Sequence, residues 1–189
     1  MPDRVAAVVL AAGESRRFGS PKQLAELEGR TLLEHVLELG RDAGLRPVVA
    51  VVPVWLTRPA AMDAPDLVWV RNPNPERGMS HSLRLGFAAL PADVDAALIL
   101  LGDQPLVAPA HLRALVAGRG PHPFVATDVD GVLQPPVLVE RSHFPVVTSV
   151  SGDIGLRGIL RDSAQLVPVP LTEPIADVDT PDDLERIDR

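Results

Sequence analysis

The feature that most constrains the fold of this chain is an alternation of apolar runs with stretches of helical spacing. The runs are nearly continuous in Val, Ala and Leu, which is typical of strands buried on both faces of a sheet. They cover residues 5–11, 47–52, 67–70, 96–101 and 124–127. Between them, apolar side chains recur at helical intervals in residues 32–39, 80–90 and 109–117. This order predicts βαβ units, and therefore a mostly parallel sheet covered by helices.

The last third of the chain is less regular. Residues 128–131, Asp-Val-Asp-Gly, predict either a hairpin or a long excursion between the fifth run and the apolar residues that follow. Thr180 is a good N-cap residue for a last helix. The elements predicted here are a strand at 136–139, a helix at 151–160, a strand at 166–169 and a helix at 180–187. We therefore predict an α/β fold with a mostly parallel sheet, whose ligand binds at the carboxyl ends of the strands.

Composition limits the size of the fold and the classes of ligand. The chain has 189 residues, which at about 150 residues per domain predicts a single domain over 1–189. A net charge of −7 and only six aromatic rings argue against nucleic-acid binding. No cysteine is present, which excludes thiolate chemistry and Cys-ligated metals. The longest apolar run has eight residues, too few to span a membrane, so we expect a cytoplasmic protein.

The loop that follows the first strand has the composition of an anion-binding site. Residues 10–22 contain two glycines, two arginines, Ser15 and Lys22, and Lys22 is the only lysine of the chain. Glycines allow backbone N–H groups to turn inward, and the cations neutralise phosphate charge. The segment has neither the Walker pattern nor the dinucleotide-binding pattern. A polar surface loop is the alternative, but the coincidence of these features at a strand end favours a phosphate site.

Carboxylates follow the fourth strand and precede the last helix. Asp103 lies just after a buried strand, where a carboxylate is costly unless it is paired or binds a metal. Mg²⁺, which is held by one or two carboxylates together with substrate phosphates, fits this position. Asp179, or less favourably Asp177, is a candidate second ligand, although an acidic helix start explains both equally well. The segment 78–82, before the second helix, could present backbone and hydroxyl groups to a sugar or a base.

The motifs of this chain resemble those of the MobA-like nucleotidyltransferases, and especially those of the MocA-like molybdenum-cofactor cytidylyltransferases. The matching segments are Leu-Ala-Ala-Gly-x-Ser-x-Arg-x-Gly-x-Pro-Lys at 10–22, Gly-Met-x-x-Ser-Leu at 78–83, Leu-Gly-Asp-Gln-Pro at 101–105, Gly-Asp-x-Gly-x-Arg at 152–157 and Asp-x-Asp-Thr-Pro-x-Asp-Leu at 177–184. They occur in family order from end to end. The resemblance implies a three-layer α/β/α, Rossmann-like nucleotide-diphospho-sugar-transferase fold.

The resemblance also implies an activity and its participants. A nucleoside monophosphate, CMP from CTP, would pass to the terminal phosphate of molybdopterin with release of pyrophosphate, with Mg²⁺ and without a covalent intermediate. Ala11-Ala12-Gly13 favours CTP, because guanylyltransferases tend to have Ala-Gly-Gly there. A molybdenum hydroxylase would receive the product, and the chain would be a monomer or a weak dimer.

The family roles fall on three sets of residues. The catalytic residues would be Arg17, Lys22 and Asp103, with Asp103 and Asp179 as metal ligands. The nucleotide would contact Leu10, Ala11, Ala12, Gly13, Ser15, Arg17, Lys22, Gly78, Ser80 and Ser82. The acceptor would contact Gln104, Pro136, Gly152, Asp153 and Arg157. The chain departs from the family pattern at 133–136, where Leu-Gln-Pro-Pro replaces the common Gly-His-Pro or Gly-Asn-Pro.

Other functions remain open at this point. The same chemistry could use GTP, or another phosphorylated acceptor such as a phosphosugar, phospholactate or a polyol phosphate. A non-catalytic carrier of the molybdenum cofactor is a further alternative. A hydrolase is disfavoured: the segment 78–82 resembles a nucleophile elbow, but the prolines before it cannot belong to a buried strand.

Overall fold

The computed structural model describes residues 4–59, 62–150, 155–162, 165–171 and 177–187. The strands are β1 (Val5–Leu10), β2 (Glu26–Leu27), β3 (Arg30–Thr31), β4 (Val48–Pro53), β5 (Leu67–Asn72), β6 (Ala96–Leu101), β7 (Phe124–Val129), β8 (Val132–Glu140) and β9 (Leu166–Pro170). The helices are α1 (Leu32–Asp42), α2 (Met79–Ala88), α3 (Pro109–Ala117), α4 (Phe144–Ser149), α5 (Gly155–Asp162) and α6 (Pro181–Ile187).

Seven strands form one sheet in the order β5-β4-β1-β6-β8-β7-β9. Strands β1, β4, β5 and β6 pair in parallel, and β7 pairs in parallel with β9. Strand β8 is antiparallel to both of its neighbours. The prediction of a mostly parallel sheet is confirmed. The short strands β2 and β3 form a separate antiparallel pair.

The helices cover both faces of the sheet. Ala7 and Val9 of β1 belong to a buried cluster that includes residues of α1 and α3. Val8 and Leu10 belong to a second cluster, which includes residues of α2, α4 and α5. Because neighbouring side chains of a strand point to opposite faces, β1 must be apolar at every position, and all six of its residues are buried. The three-layer α/β/α architecture is therefore confirmed.

Local signals determine where the elements begin and end. The Glu34 N–H donates to Thr31 Oγ1 at 3.2 Å, and the Thr31 N–H donates to the Glu34 carboxylate at 2.7 Å. This capping box begins α1, and Gly44, at φ +84°, follows its end. Between β7 and β8, Asp130 and Gly131 have φ values of 52° and 83°, as a two-residue hairpin turn requires. The predicted hairpin is confirmed.

Three elements differ from the sequence prediction. The β2–β3 pair and α4 were not predicted. Each strand of that pair has two residues, too short for a periodic signal. The predicted helix at 151–160 is present from Gly155, and its first four residues lie outside the described part.

The strand order places one crevice at the centre of the sheet. The chain runs from β1 outward through β4 to β5, and then returns to the other side of β1 as β6. The carboxyl ends of β1 and β6 therefore lie at the point where the strand order reverses, which is the usual ligand site of such a sheet. Within the described ranges, no helix combines the length and the hydropathy that crossing a membrane requires.

Candidate active site

The loop after β1 lies at this crevice. It turns sharply at Ser15, where φ is +53°, and the N–H groups of Phe18 and Gly19 both donate to the Ser15 carbonyl. The Ser15 hydroxyl accepts a hydrogen bond from the Lys22 N–H at 3.1 Å. The beginning and the end of the loop are thus tied together before any ligand is present.

Gln23, which was not among the site residues predicted from the sequence, ties the loop from its inner side. Its side-chain Nε2 donates to the Ala11 and Gly13 carbonyls, both at 2.8 Å. Its Oε1 accepts from the Ser15 hydroxyl at 3.4 Å, and the residue is 3% exposed. One feature of the sequence could have indicated this role. Gln23 is a polar residue directly after the candidate lysine, and apolar residues follow it.

Lys22 meets two of the predicted carboxylates. Its Nζ lies 2.6 Å from Asp103 Oδ2 and 3.4 Å from Asp179 Oδ1. The other Asp179 oxygen pairs with Arg17 Nη1 at 2.8 Å. The side chains of Lys22 and Asp103 are 16% and 20% exposed, whereas that of Arg17 is 76% exposed. The structure thus brings together all the residues predicted as catalytic or metal-binding.

Asp103 is held where β6 ends beside β1. The Gly102 N–H donates to the Leu10 carbonyl at 3.0 Å, and the Asp103 carbonyl accepts from the Val178 N–H at 2.9 Å. A β-carbon at Gly102 would lie 2.8 Å from that of Ala11, so this close approach requires glycine. Asp103 Oδ1 is buried without a hydrogen-bond partner, so it is free to bind a ligand.

The segment before α6 completes this side of the site. Val178 is fully buried and packs with Leu27 and Leu32, with the partly buried Phe18 of the loop against them. This anchors Asp177 and Asp179 on either side of Val178. The capping prediction is confirmed, because the Asp183 N–H donates to Thr180 Oγ1 at 3.3 Å.

Asp177 has a different environment from Asp179. Gln104 Nε2 donates to Asp177 Oδ1 at 2.9 Å. Desolvation is the largest influence on Asp177 and raises its pKa above the ordinary value. The charges of Asp103 and Asp179 also raise the pKa, whereas the Gln104 hydrogen bond and the charge of Lys22 lower it. Asp179, in contrast, pairs with Lys22 and Arg17.

The amino end of α2 forms the opposite wall. Gly78, at φ +77°, precedes the helix, and Ser82 Oγ accepts from the buried Asn72 Nδ2 at 3.0 Å. Gly78 and Ser82 both line the space below the loop. Ser80 does not: it is 1% exposed, and it lines none of the cavities around the loop.

Three adjoining cavities surround the loop, and Gly13, Glu14 and Pro75 occur in the walls of all three. The first, the central cavity, has about 300 Å³ and is lined by Leu10, Ala11, Ala12, Gly13, Glu14, Lys22, Gln23, Pro75, Gly78, Met79, Ser82, Leu101, Gly102 and Asp103. The second, of about 380 Å³, has the half-exposed Trp55 in its wall. The third, of about 360 Å³, is lined by Arg16, Arg17 and Asp179. Together they offer a continuous surface for a ligand with several phosphates.

The described residues that were predicted to bind the acceptor do not form one site. Gln104 is buried against Asp177, and its Oε1 has no hydrogen-bond partner. Pro136 is buried in β8, where its carbonyl accepts from Thr127 Oγ1. Gly152 and Asp153 lie outside the described residues, and Arg157 lies in α5.

The geometry also bears on the hydrolase alternative. His81 Nε2 and Ser80 Oγ are both buried without hydrogen-bond partners, so they do not form a nucleophile and base pair. His143 contacts Ser142, and in the described part of the chain no histidine ring contacts a carboxylate. A serine–histidine–aspartate arrangement is therefore not present in those residues.

Comparisons with known proteins agree with this geometry. The pattern that defines the MobA-like NTP transferase domain matches residues 7–169. Purine catabolism protein PucB of Bacillus subtilis (strain 168) is 31% identical, over 96% of this chain and 95% of that protein. Bifunctional protein GlmU of Azoarcus sp. (strain BH72) is 37% identical over 60% of this chain. The aligned part corresponds to 25% of that protein.

Solved structures show the same fold. Rv0371c from Mycobacterium tuberculosis H37Rv superposes with a TM-score of 0.85 at 26% identity, over 100% of this chain and 99% of that chain. A second structure of Rv0371c, in complex with manganese, superposes with a TM-score of 0.80 at 26% identity, over 99% and 98% of the two chains.

Proposed function

This chain belongs to the family of MobA-like NTP transferase domains, and on that premise we propose that it is a molybdenum-cofactor cytidylyltransferase. Nucleotidyl transfer is the chemistry of the family. The nucleotide, the acceptor and the metal are the finer parts of the proposal. We place the reaction in the cytoplasm, where nucleoside triphosphates are made.

The observation that carries the proposal is the meeting of Lys22 with Asp103 and Asp179 beside the loop. An ammonium group next to two carboxylates and a row of backbone N–H groups can hold both a triphosphate and its counter-cation. Lys22 and Asp179 are 157 residues apart in the chain. The fold therefore brings these groups together at the strand ends, which favours a functional role over a chance surface ion pair.

In the proposed reaction, a terminal oxygen of the acceptor phosphate attacks the α-phosphorus of CTP in line. A bond forms between that oxygen and the α-phosphorus, while the bond from the α-phosphorus to the bridging oxygen of the β-phosphate breaks. The electron pair leaves with pyrophosphate. The attacking phosphate is already anionic at neutral pH, so no general base is needed and positioning with charge neutralisation suffices. Lys22 and Arg17 would contact the phosphates, and no side chain becomes covalently bound.

The described residues fit a divalent cation. Asp103 Oδ1 is buried and has no partner, and Asp179 lies on the other side of the same ammonium. The described residues hold no cluster of three or more His, Asp or Glu side chains suited to a metal, so two carboxylates would share the ion with phosphate oxygens. Mg²⁺ is usually bound in this way, and it would neutralise charge on the phosphates. The manganese complex of Rv0371c supports a divalent ion here.

The sequence of the loop supports the choice of nucleotide. By the resemblance to cytidylyltransferases, Ala11-Ala12-Gly13 favours CTP, and these residues line the central cavity. The proposed product would serve a molybdenum hydroxylase of the xanthine dehydrogenase type. Such an enzyme oxidises a purine, which agrees with the similarity to a purine catabolism protein. Gln104, Pro136, Gly152, Asp153 and Arg157 remain our proposed acceptor contacts.

The experiment has two stages. The first measures thermal unfolding with Mg²⁺ and CTP, GTP, ATP or UTP, because a bound ligand stabilises by mass action. At a hundredfold excess over the Kd, this gain is about 2.7 kcal/mol, which corresponds to roughly 5–11 °C for a domain of this size. We expect CTP to give the largest shift. A largest shift with GTP would replace CTP by GTP in the proposal.

The second stage measures pyrophosphate release with molybdopterin and each nucleotide. Release with CTP is the expected result. Binding of CTP without release, in folded protein, would favour either the non-catalytic carrier or another acceptor. Phosphosugars, phospholactate and polyol phosphates in the same assay would separate these two outcomes.

A further inference from the structure

We infer that Gln23 is a positioning residue that orients the backbone N–H groups of the loop toward the phosphates of the nucleotide. The inference deepens the proposed function and rests on it in one respect, the identity of the anion. Its physical basis is the set of contacts that Gln23 makes to the loop.

Gln23 holds two carbonyl groups of the loop. Gln23 Nε2 uses both of its hydrogens, one for the Ala11 carbonyl and one for the Gly13 carbonyl, each at 2.8 Å. A carboxamide NH₂ has two donors, so these two bonds use its full donor capacity. Both carbonyl oxygens are therefore held toward Gln23.

The same two bonds orient the N–H groups of these peptides. In a planar trans peptide, the carbonyl and the N–H point in opposite directions. Because the Ala11 and Gly13 carbonyls face Gln23, the N–H groups of Ala12 and Glu14 must point away from it. In the described residues neither N–H has an intramolecular acceptor, nor has that of Gly13. The N–H groups of Ala12 and Glu14 are thus unpaired and turned away from Gln23, and both residues line the central cavity, where unpaired backbone N–H groups can bind an anion.

Gln23 is itself held in place by burial and by its hydrogen bonds. It is 3% exposed, and it lies in the short 3-10 turn of residues 22–24. Its Oε1 accepts from Ser15 Oγ, and Ser15 Oγ accepts from the Lys22 N–H. The orientation of the loop amides and the position of the lysine are therefore linked through one network. A side chain of the same length without donors would leave two carbonyls free to turn into the cavity, where they would repel phosphate.

The test uses nuclear magnetic resonance on the whole protein, with inorganic pyrophosphate as the probe. The backbone amide signals of Ala12, Gly13 and Glu14 are followed in the wild type and in Gln23→Met. In the wild type these amides should shift as pyrophosphate is added. In Gln23→Met the apparent affinity should fall at least tenfold. The control is Leu45→Ala, a core truncation in the connection between α1 and β4, which should respond like the wild type.

Each result has a separate meaning. If the wild type and Gln23→Met respond alike, the inference is overturned while the proposed function stands. If the wild type does not respond, the loop does not bind anions and the inference is also overturned. The proposed function is then tested separately, by thermal unfolding with the four nucleotides. The side-chain NH₂ protons of Gln23 give a test that needs no variant. They should exchange slowly with solvent in the wild type, and rapid exchange would refute the two hydrogen bonds.

Kinetics supply a further readout. A residue that only stabilises the fold would lower the amount of active protein, and therefore kcat, without changing KM. The inference expects Gln23→Met to raise KM for the nucleotide at least tenfold while KM for the acceptor stays within about twofold. An unchanged nucleotide KM contradicts the proposed role.

Discussion

Replacing Lys22 with methionine tests the centre of the proposed site, because it removes one charge and keeps most of the volume. In the wild type, the ammonium lies between Asp103 and Asp179, at 2.6 and 3.4 Å. In the variant, those carboxylates face each other and Asp177 without the lysine. We therefore expect losses in both activity and stability, and each can be estimated separately.

The stability loss follows from the exposure of the pair. Exposed ion pairs contribute about 0.2–1 kcal/mol, and breaking a fully buried pair costs about 3–5 kcal/mol. Lys22 and Asp103 are 16% and 20% exposed, and solvent screens part of their interaction. Asp179 also retains Arg17. We expect a loss of about 1–2 kcal/mol, which lowers Tm by roughly 2–8 °C.

The activity loss is larger. Removing one preorganised donor that stabilises transition-state charge costs about 2.7–4 kcal/mol, so kcat/KM should fall by about 10²- to 10³-fold. Pyrophosphate release measures this, and differential scanning fluorimetry measures Tm. Lys22→Arg is the matched control: it keeps the charge but not the compact ammonium geometry. It should recover most of Tm and little of the activity.

Two results would refute this reasoning. If Lys22→Met keeps near-wild-type kcat/KM in folded protein, the lysine does not contact the reacting phosphates. If Lys22→Arg restores full activity, a positive charge alone is sufficient and the geometry of the site is not the cause.

The remaining predictions concern the carboxylates and two titrating groups. Asp103→Asn should abolish Mg²⁺-dependent pyrophosphate release without weakening metal-free nucleotide binding in calorimetry. Asp179→Asn should do the same if Asp179 is the second ligand. Full activity of either variant would show that its residue does not bind the metal. Burial lowers the pKa of His111 below 6.5, so the unfolded chain binds more protons and the free energy of unfolding decreases as pH falls below 6.5. Urea unfolding at pH 7.5 and 5.5 should show a smaller decrease for His111→Phe than for the wild type. Equal decreases would contradict this. Hydrogen bonds from the hydroxyl and N–H of Thr180 lower the pKa of Asp183 below 3.8. The contribution of the Asp183 carboxylate to stability is therefore present above that pH and is lost as pH falls through the lowered pKa. Asp183→Asn should accordingly make the free energy of unfolding less dependent on pH below pH 4.

Much of the fold could be predicted because its signals are local. Strands such as β1 are buried on both faces, so they must be apolar throughout, and the run is visible in the sequence. The capping box at Thr31 and the turn at Gly131 depend on neighbouring residues only. The place of β8 between β6 and β7 could not be predicted, because it depends on pairing between distant segments.

The site was predictable in its charged residues and less so in the others. Lys22 and Asp103 follow strand ends, so the predicted sheet brings them to one edge. Ser80 was selected with Ser82 from one motif, but the α-helix turns 100° per residue, so residues two apart face different directions. Both serines are buried, but only Ser82 lines the central cavity. Gln23 was missed because its role lies in contacts to backbone carbonyls, which no sequence pattern specifies.

The anchoring of Val178 beside the loop has a consequence for the order in which this protein is made. Asp179 follows Lys22 by 157 residues, and a bacterial or eukaryotic ribosome adds about 5–20 residues per second. For roughly 8–30 s after Lys22 is synthesised, the growing chain contains the glycine loop without the segment that closes it. During synthesis, β1, β4, β5 and β6 are available to fold well before that segment. The proposed site can therefore form only after the segment around Val178 has been synthesised and has packed beside the loop.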